Sequence, residues 1–193
     1  MALAFALFPT ALGHCALAWQ GQGEAGVRAC LLPGIDEAAL RATIARRFAG
    51  AEEAAMPSTI SDAAARITRL LAGEATDHRE LLAVPLDPAG WAQLGAFERE
   101  VLALTREIPI GQTRTYGELA RALGQPGAAR AVGAAESRNP FAPIVPCHRV
   151  MGEGGAATGF SAPGGIETKR RLLLIEARAA GQLAGDQQPL FES

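Results

Sequence analysis

The spacing of apolar residues changes between the two halves of the chain, and this change constrains the fold more than any other feature. Near the amino terminus Leu3, Phe5 and Leu7 alternate with smaller residues, and apolar runs at 14–19 and 27–32 flank a glycine-rich turn at 21–26. Alternation and short apolar runs of this kind are typical of strands. Over residues 91–107 the apolar residues recur at near-helical spacing. We therefore expect a strand-rich first half and a helical second half.

Capping and turn residues divide these halves into two domains. Asp36 is a suitable N-cap for a helix that reaches about Phe48, and a second helix begins at Ser58 or Ser61 and ends near residue 72. Residues 81–86 are predicted to form a further strand. We expect an α/β domain over 1–88, a second domain over 89–178 and a flexible tail over 179–193. The turn at 21–26 matches G-x-G-x-x-G, but a strand-like run follows it, so a hairpin is favoured over a dinucleotide site.

Two short helices follow in the second half. Residues 115–124 form a helical segment that ends at Gly124, residues 125–127 form a turn, and residues 128–138 form a second helix rich in Ala and Gly. This pattern is typical of a helix-turn-helix, although any helical hairpin fits it. The small residues allow close approach to another surface or close packing within a core.

The segment from Pro146 to Val150, Pro-Cys-His-Arg-Val, carries the strongest chemical signal. A cysteine acts as a nucleophile through its thiolate, and nearby cationic or hydrogen-bonding groups lower its pKa. Cys147 is followed directly by His148, so the two side chains meet only across a bend or a bridging water. Cys15 and Cys30 lack such surroundings and are interpreted as buried structural residues.

The segment 144–150 resembles the active-site segment of the O6-alkylguanine-DNA alkyltransferases. The resemblance extends from about residue 97 to 176 and includes the segments 116–120, 128–133 and 138–140. It implies an α/β amino-terminal domain, a small ribonuclease-H-like sheet with helices, and a mostly helical domain of the winged helix-turn-helix type. It also implies single-turnover repair, in which an alkyl group moves from O6-alkylguanine in DNA to the cysteine. O4-alkylthymine is a second candidate substrate.

The resemblance assigns roles to individual residues. Cys147 is the implied alkyl acceptor, His148 its base through a water, and Glu176 the residue that orients His148. The implied substrate contacts are Tyr116, Val150, Ser161, Asn139 and Lys169. The implied DNA contacts are Arg130, Ala129, Gly133 and Ser137, with Arg130 filling the gap left by a flipped nucleotide. No metal or cofactor is expected. Phe160 replaces a tyrosine common in the family, and the loop through Ala162 and Pro163 is longer, which leaves the range of alkyl groups open.

Two other functions fit the residues: a non-catalytic helix-turn-helix protein that binds or senses damaged DNA, and a Cys-His thiol hydrolase. The carboxy-terminal segment adds a candidate partner, because Gln187, Leu190 and Phe191 resemble the short peptides with which bacterial repair proteins bind the sliding clamp. In that interpretation the two apolar side chains fill a pocket and Gln187 is held by hydrogen bonds.

Charge and composition narrow the cellular setting. The net charge is −2, but residues 1–95 carry 7 basic and 10 acidic side chains, whereas residues 96–178 carry 11 and 8. The half that holds the proposed DNA-binding motifs is therefore basic, which predicts weak, salt-sensitive contact with few phosphates. Three cysteines without a C-x-x-C pair favour a reducing cytoplasm. No membrane segment is expected, because the uncharged stretch up to Gly23 is interrupted by Pro9 and Gly13.

Overall fold

The computed structural model describes residues 3–21, 26–34 and 36–182. Four strands form the amino-terminal sheet: β1 (Leu3–Thr10), β2 (Gly13–Gln20), β3 (Val27–Leu31) and β4 (Glu52–Glu53). Their order is β3-β2-β1-β4, antiparallel through the first three strands and parallel between β1 and β4. The predicted alternation is confirmed, since Phe5 and Phe8 are buried while the residues between them are partly exposed.

Helices accompany this sheet: α1 (Glu37–Arg47), α2 (Ser58–Leu71), α3 (Arg79–Leu82) and α4 (Pro88–Ala92). Asp36 caps α1 as predicted, because its carboxylate accepts the Ala39 amide at 2.7 Å. Helix α2 begins at Ser58, and its apolar face is buried against the sheet. The α/β character of the first half is thereby confirmed.

The strand predicted at residues 81–86 is wrong. The chain forms α3 there instead, and only Leu86 makes an isolated bridge, to Val27. The physical reason lies outside the segment: Arg106 donates to the carbonyl oxygens of Leu81, Leu82 and Val84. These bonds satisfy the end of a helical turn, whereas a strand would have needed a neighbouring strand as partner.

The second half is mainly helical, with α5 (Ala96–Arg106), α6 (Tyr116–Ala122), α7 (Ala129–Ser137) and α8 (Gly165–Ala179). Two short strands, β5 (Arg114–Thr115) and β6 (Val150–Met151), pair in parallel. The single helix expected over 91–107 is divided into α4 and α5, because the Glu98 carboxylate accepts the Gly95 amide and starts a new helix. The two predicted helices on either side of 125–127 are confirmed as α6 and α7.

The largest apolar cluster includes residues of both halves. Leu17 and Ile67 of the first half belong to the same buried cluster as Ile144, Cys147 and Leu172 of the second. The segment that carries Cys147 is therefore packed directly on the amino-terminal sheet. The boundary near residue 88 stays a prediction. No helix in the described ranges is long and apolar enough to span a membrane.

Candidate active site

A rigid loop after α7 positions Cys147. Proline disfavours helical geometry in the residue before it, so α7 ends ahead of Asn139-Pro140. The Asn139 side chain then holds the loop from both sides, because its Nδ2 donates to the Val145 carbonyl at 2.7 Å and its Oδ1 accepts the Phe141 amide at 2.9 Å. Residues 147–149 form one 3-10 turn. Cys147 and His148 thus lie on a bend rather than a strand.

Three buried side chains form an ionic network behind Cys147. His148 Nε2 lies 2.8 Å from Glu176 Oε1. Arg149 binds the same carboxylate with two donors, Nε to Oε2 and Nη2 to Oε1, both at 2.8 Å. Its third nitrogen donates to the Ile108 carbonyl. Exposure of the three side chains is 2% or less, so this network is shielded from solvent.

The electrostatics of this network fix the state of His148. Burial alone would raise the pKa of Glu176, but charge and hydrogen bonds from His148 and Arg149 lower it to about 2. Burial lowers the pKa of His148 below its usual value. An ionised carboxylate can only accept, so Nε2 of the neutral imidazole carries the proton and Nδ1 has a free lone pair. Nδ1 is buried and has no hydrogen-bond partner among the described residues.

Cys147 itself is a thiol in the resting protein. Burial first, and then the charge of Glu136, raise its pKa to about 12, although Asn139 and Lys169 act in the opposite direction. The expectation of a lowered thiol pKa is therefore wrong for the free protein. Its cause is the depth of the site, which the sequence context of His148 and Arg149 does not reveal. Nucleophilic attack at Cys147 consequently requires a base that removes the proton during the reaction.

A cavity of about 300 Å³ opens beside Cys147. Asn139 and Ala142 of the loop line one side, and Leu32 and Leu40 of the amino-terminal half line the other. Phe160, Ser161, Ala162 and Pro163 complete the wall. A mostly apolar recess of this size accommodates a group larger than methyl next to the sulfur.

Tyr116 and Lys169 form a second wall near Cys147. Tyr116 starts α6, where the Thr115 hydroxyl accepts the Glu118 amide at 3.1 Å, and its own hydroxyl donates to the Thr158 carbonyl at 3.2 Å. Lys169 Nζ donates to the carbonyls of Val150, at 2.6 Å, and Thr158, at 3.0 Å. Nζ also lies 5.7 Å from the Tyr116 ring centre.

The predicted DNA contacts line an open groove along α7. Ala129, Arg130, Gly133 and Ser137 face it together with Tyr116. A Cβ atom at Gly133 would lie 3.8 Å from the Tyr116 ring, so the glycine lets the ring lie flat against the helix. Arg130 is exposed and has no ion pair or hydrogen bond with the described part of the chain. Phe160 and Ser161 line both this groove and the cavity beside Cys147.

Comparison with known proteins gives this geometry a family. The family model described as 6-O-methylguanine DNA methyltransferase, DNA binding domain, matches residues 96–178. The methylated-DNA–protein-cysteine methyltransferase of Mycolicibacterium paratuberculosis is 42% identical over 122 residues, which are 63% of this chain and 68% of that protein. The chain belongs to the 6-O-methylguanine DNA methyltransferase family.

Solved structures of this family extend the likeness to nearly the whole chain. The crystal structure of Mycobacterium tuberculosis OGT in complex with DNA has a TM-score of 0.69 and 33% identity, and the match covers 92% of this chain and 94% of that one. The O6-methylguanine-DNA methyltransferase of the archaeon Pyrococcus kodakaraensis has a TM-score of 0.62 and 28% identity, covering 90% and 98%. The family resemblance of the active-site segment is therefore accompanied by a shared fold.

The structure also brings into the site residues of the family domain to which the sequence assigned no role. Arg149 holds Glu176 with a bidentate contact, although only its position beside His148 was noticeable in the sequence. Glu136 and Thr105 are buried and bonded to each other on the inner side of α7. Glu136 lies one helical turn after the buried Val132, and this spacing is the signal that could have placed it inside.

Proposed function

We propose that this protein repairs alkylated DNA directly, by irreversible transfer of an alkyl group from O6-alkylguanine to Cys147, once per molecule. The observation that carries the proposal is the position of Cys147, on the wall of a cavity and next to the His148-Glu176-Arg149 network. The methylated-DNA–protein-cysteine methyltransferases that the chain resembles carry this activity in their name.

The reaction is a displacement at the alkyl carbon. His148 Nδ1 takes the proton of the Cys147 thiol through a water, since Nε2 is already engaged with Glu176. The sulfur forms a bond to the alkyl carbon while the bond from that carbon to O6 breaks, and its electron pair stays on the guanine. The Tyr116 hydroxyl, the carbonyl of Val150 and Ser161 surround the departing base, and a proton returns to it. The thioether on Cys147 cannot be hydrolysed, so the protein acts once.

The target base must leave the duplex before this reaction, because a stacked base cannot be attacked in line. In our proposal α7 enters the minor groove with its small residues Ala129 and Gly133 against the backbone. Arg130 occupies the space of the flipped nucleotide and offsets part of the lost stacking. Minor-groove entry suits a repair protein, because that groove has a degenerate code and lesions occur in any sequence.

The finer features of the fold are part of this proposal. The strand order β3-β2-β1-β4, with only β4 parallel, supports a ribonuclease-H-like first domain over 1–88. The helix pair α6-α7 beside the β5-β6 ribbon supports a winged helix-turn-helix domain over 89–178. Segment 179–193 is the proposed tail.

Docking on the sliding clamp through Gln187, Leu190 and Phe191 stays a proposal, because these residues lie outside the described residues. A pull-down with purified clamp tests it. Clamp should be retained by the wild-type chain and lost when Leu190 and Phe191 are both replaced by Ala. Equal retention would contradict it.

The intact mass of the protein after incubation with a duplex containing O6-methylguanine tests the function. We expect one methyl gain per molecule, mapped to Cys147, with none in Cys147→Ala. Cys15→Ala is the matched control and should gain the methyl group, because Cys15 lies in the core away from the cavity. Binding without a mass gain would indicate a damage sensor, and repeated product formation a turnover enzyme. A duplex with O4-methylthymine tests the second substrate.

A further inference from the structure

A second buried polar cluster lies next to Cys147, and the mechanism above does not use it. The carboxylate of Glu136, in the last turn of α7, is 4% exposed. Its Oε1 accepts the hydroxyl of Thr105, which is fully buried in α5. Its Oε2 is buried without a hydrogen-bond partner in the part of the chain that the structure describes. A carboxylate in such a position is costly to ionise.

The backbone connects Glu136 directly to the loop that holds Cys147. The Glu136 carbonyl accepts the Asn139 amide at 3.1 Å, and the Asn139 side chain donates to the Val145 carbonyl. The Cys147 amide donates to that same carbonyl at 2.9 Å. Two successive contacts thus fix the position of the thiol relative to the last turn of α7.

We propose that Glu136 is a positioning residue for Cys147, and that its buried carboxyl group governs the pH range in which the thiol acts as a nucleophile. The proposal rests on the proposed function of Cys147 and adds a control of that site. A charged Glu136 repels the thiolate, whereas a protonated Glu136 does not. Glu136 therefore restrains the cysteine until a proton or a bound substrate removes the repulsion.

The groups around Glu136 set the direction of this control. Thr105 faces it from α5, Tyr116 from α6, Cys147 from the 3-10 turn and Lys169 from α8. Burial raises the pKa of Glu136 to about 7, although the Thr105 hydroxyl and the Lys169 ammonium act in the opposite direction. The charge of Glu136 in turn raises the pKa of Cys147, after burial. Lys169 has a pKa lowered to about 8 by its burial, so it too titrates near neutrality.

These interactions predict a bent pH profile for the reactivity of Cys147. Below pH 7 Glu136 is protonated, and the thiolate fraction rises about tenfold per pH unit, as for an isolated thiol. Above pH 7 the cysteine and Glu136 share one proton, so the thiolate fraction rises less steeply. His148 titrates below its usual pKa, and therefore below this bend.

The rate of Cys147 labelling by iodoacetamide, resolved from Cys15 and Cys30 by peptide mass mapping, measures this profile without DNA. In wild type we expect a bend near pH 7. Glu136→Gln should lose the bend and be labelled roughly three- to tenfold faster at pH 8.5. Thr105→Val, which removes the hydroxyl bond and keeps the charge, should move the bend to higher pH.

Parallel profiles for wild type and Glu136→Gln would overturn the proposal, and so would a bend that Thr105→Val leaves in place. If Glu136→Gln does not fold, as judged by circular dichroism, Thr105→Val alone decides. The methyl-transfer assay on DNA is run in parallel. Loss of methyl transfer with a bent labelling profile would contradict the proposed function but not the role of Glu136.

Discussion

Two buried glutamates flank the active cysteine, and they are held in opposite ways. Glu176 is 2% exposed and receives three hydrogen bonds, one from His148 and two from Arg149. Glu136 is 4% exposed and receives one, from Thr105. The pKa of the first is lowered to about 2 and that of the second is raised to about 7. At similar burial, the partners decide whether a carboxyl group carries charge at neutral pH.

This difference divides the work of the site. The ionised Glu176 fixes the tautomer of His148 and leaves Nδ1 free as a base, which favours deprotonation of Cys147. Glu136 faces the thiol with a charge that lacks a cationic hydrogen-bond partner, which disfavours its deprotonation. A deep site can thus keep a reactive cysteine as a thiol until substrate is bound.

Removal of the well-partnered carboxylate should have the largest effect. Glu176→Gln leaves Arg149 without a counter-charge and His148 without its orienting acceptor. We expect methyl transfer to slow by about 100-fold and unfolding free energy to fall by about 3–5 kcal/mol. Single-turnover kinetics and urea denaturation measure the two effects. Glu167→Gln, on the exposed side of the same helix, is the matched control and should change neither. Unchanged transfer in Glu176→Gln would contradict the assigned role.

The pH dependence of stability should differ in sign between the two glutamates. A lowered pKa stabilises the fold above the unfolded value of about 4.3, and this stabilisation is lost as the pH falls through about 2. A raised pKa does the reverse, so Glu136 destabilises the fold as the pH rises from about 4.3 through about 7.

Urea denaturation between pH 3 and pH 8 measures this contrast. Relative to wild type, Glu136→Gln should gain on the order of 3 kcal/mol between pH 4.5 and pH 8. Glu176→Gln should approach wild-type stability only at the acid end. Curves that differ by a constant amount over the whole range would show that neither carboxyl group titrates as described.

A smaller effect is expected from Arg149→Lys, which keeps the charge beside Glu176 but loses the bidentate geometry. We expect about a tenfold loss of methyl transfer and a modest rise in the pKa of Glu176. The rise appears as an acid unfolding transition displaced to higher pH. Arg138→Lys, whose contact with Glu98 is at the surface, serves as the control. A loss as large as that of Glu176→Gln would mean that Arg149, rather than the carboxylate, holds His148.

Local sequence signals predicted a large part of this molecule. The cap at Asp36, the strands of the first sheet and the helices α6 and α7 follow from residue type and spacing, because each depends on neighbours in the chain. The failed strand at 81–86 depends instead on Arg106, which is distant in sequence. Its apolar run fitted a strand equally well, and only the tertiary contact decided between them.

The site shows the same division. The segment around Cys147 was recognisable because several required residues are contiguous there. The ionisation of Cys147 was predicted in the wrong direction, because burial by the amino-terminal sheet outweighs its charged neighbours. Glu136 received no role, since an acidic residue in a helix is usually exposed. Its burial follows from the packing of α7 on α5, which no single segment encodes.

The opposed action of the two glutamates on Cys147 is the central claim. The most direct test is the single-turnover rate of methyl transfer from O6-methylguanine in duplex DNA to Cys147 at pH 8, for wild type, Glu176→Gln and Glu136→Gln. We predict that Glu176→Gln is about 100-fold slower and Glu136→Gln severalfold faster than wild type. Glu136→Gln at or below the wild-type rate, with its fold intact, would contradict the claim.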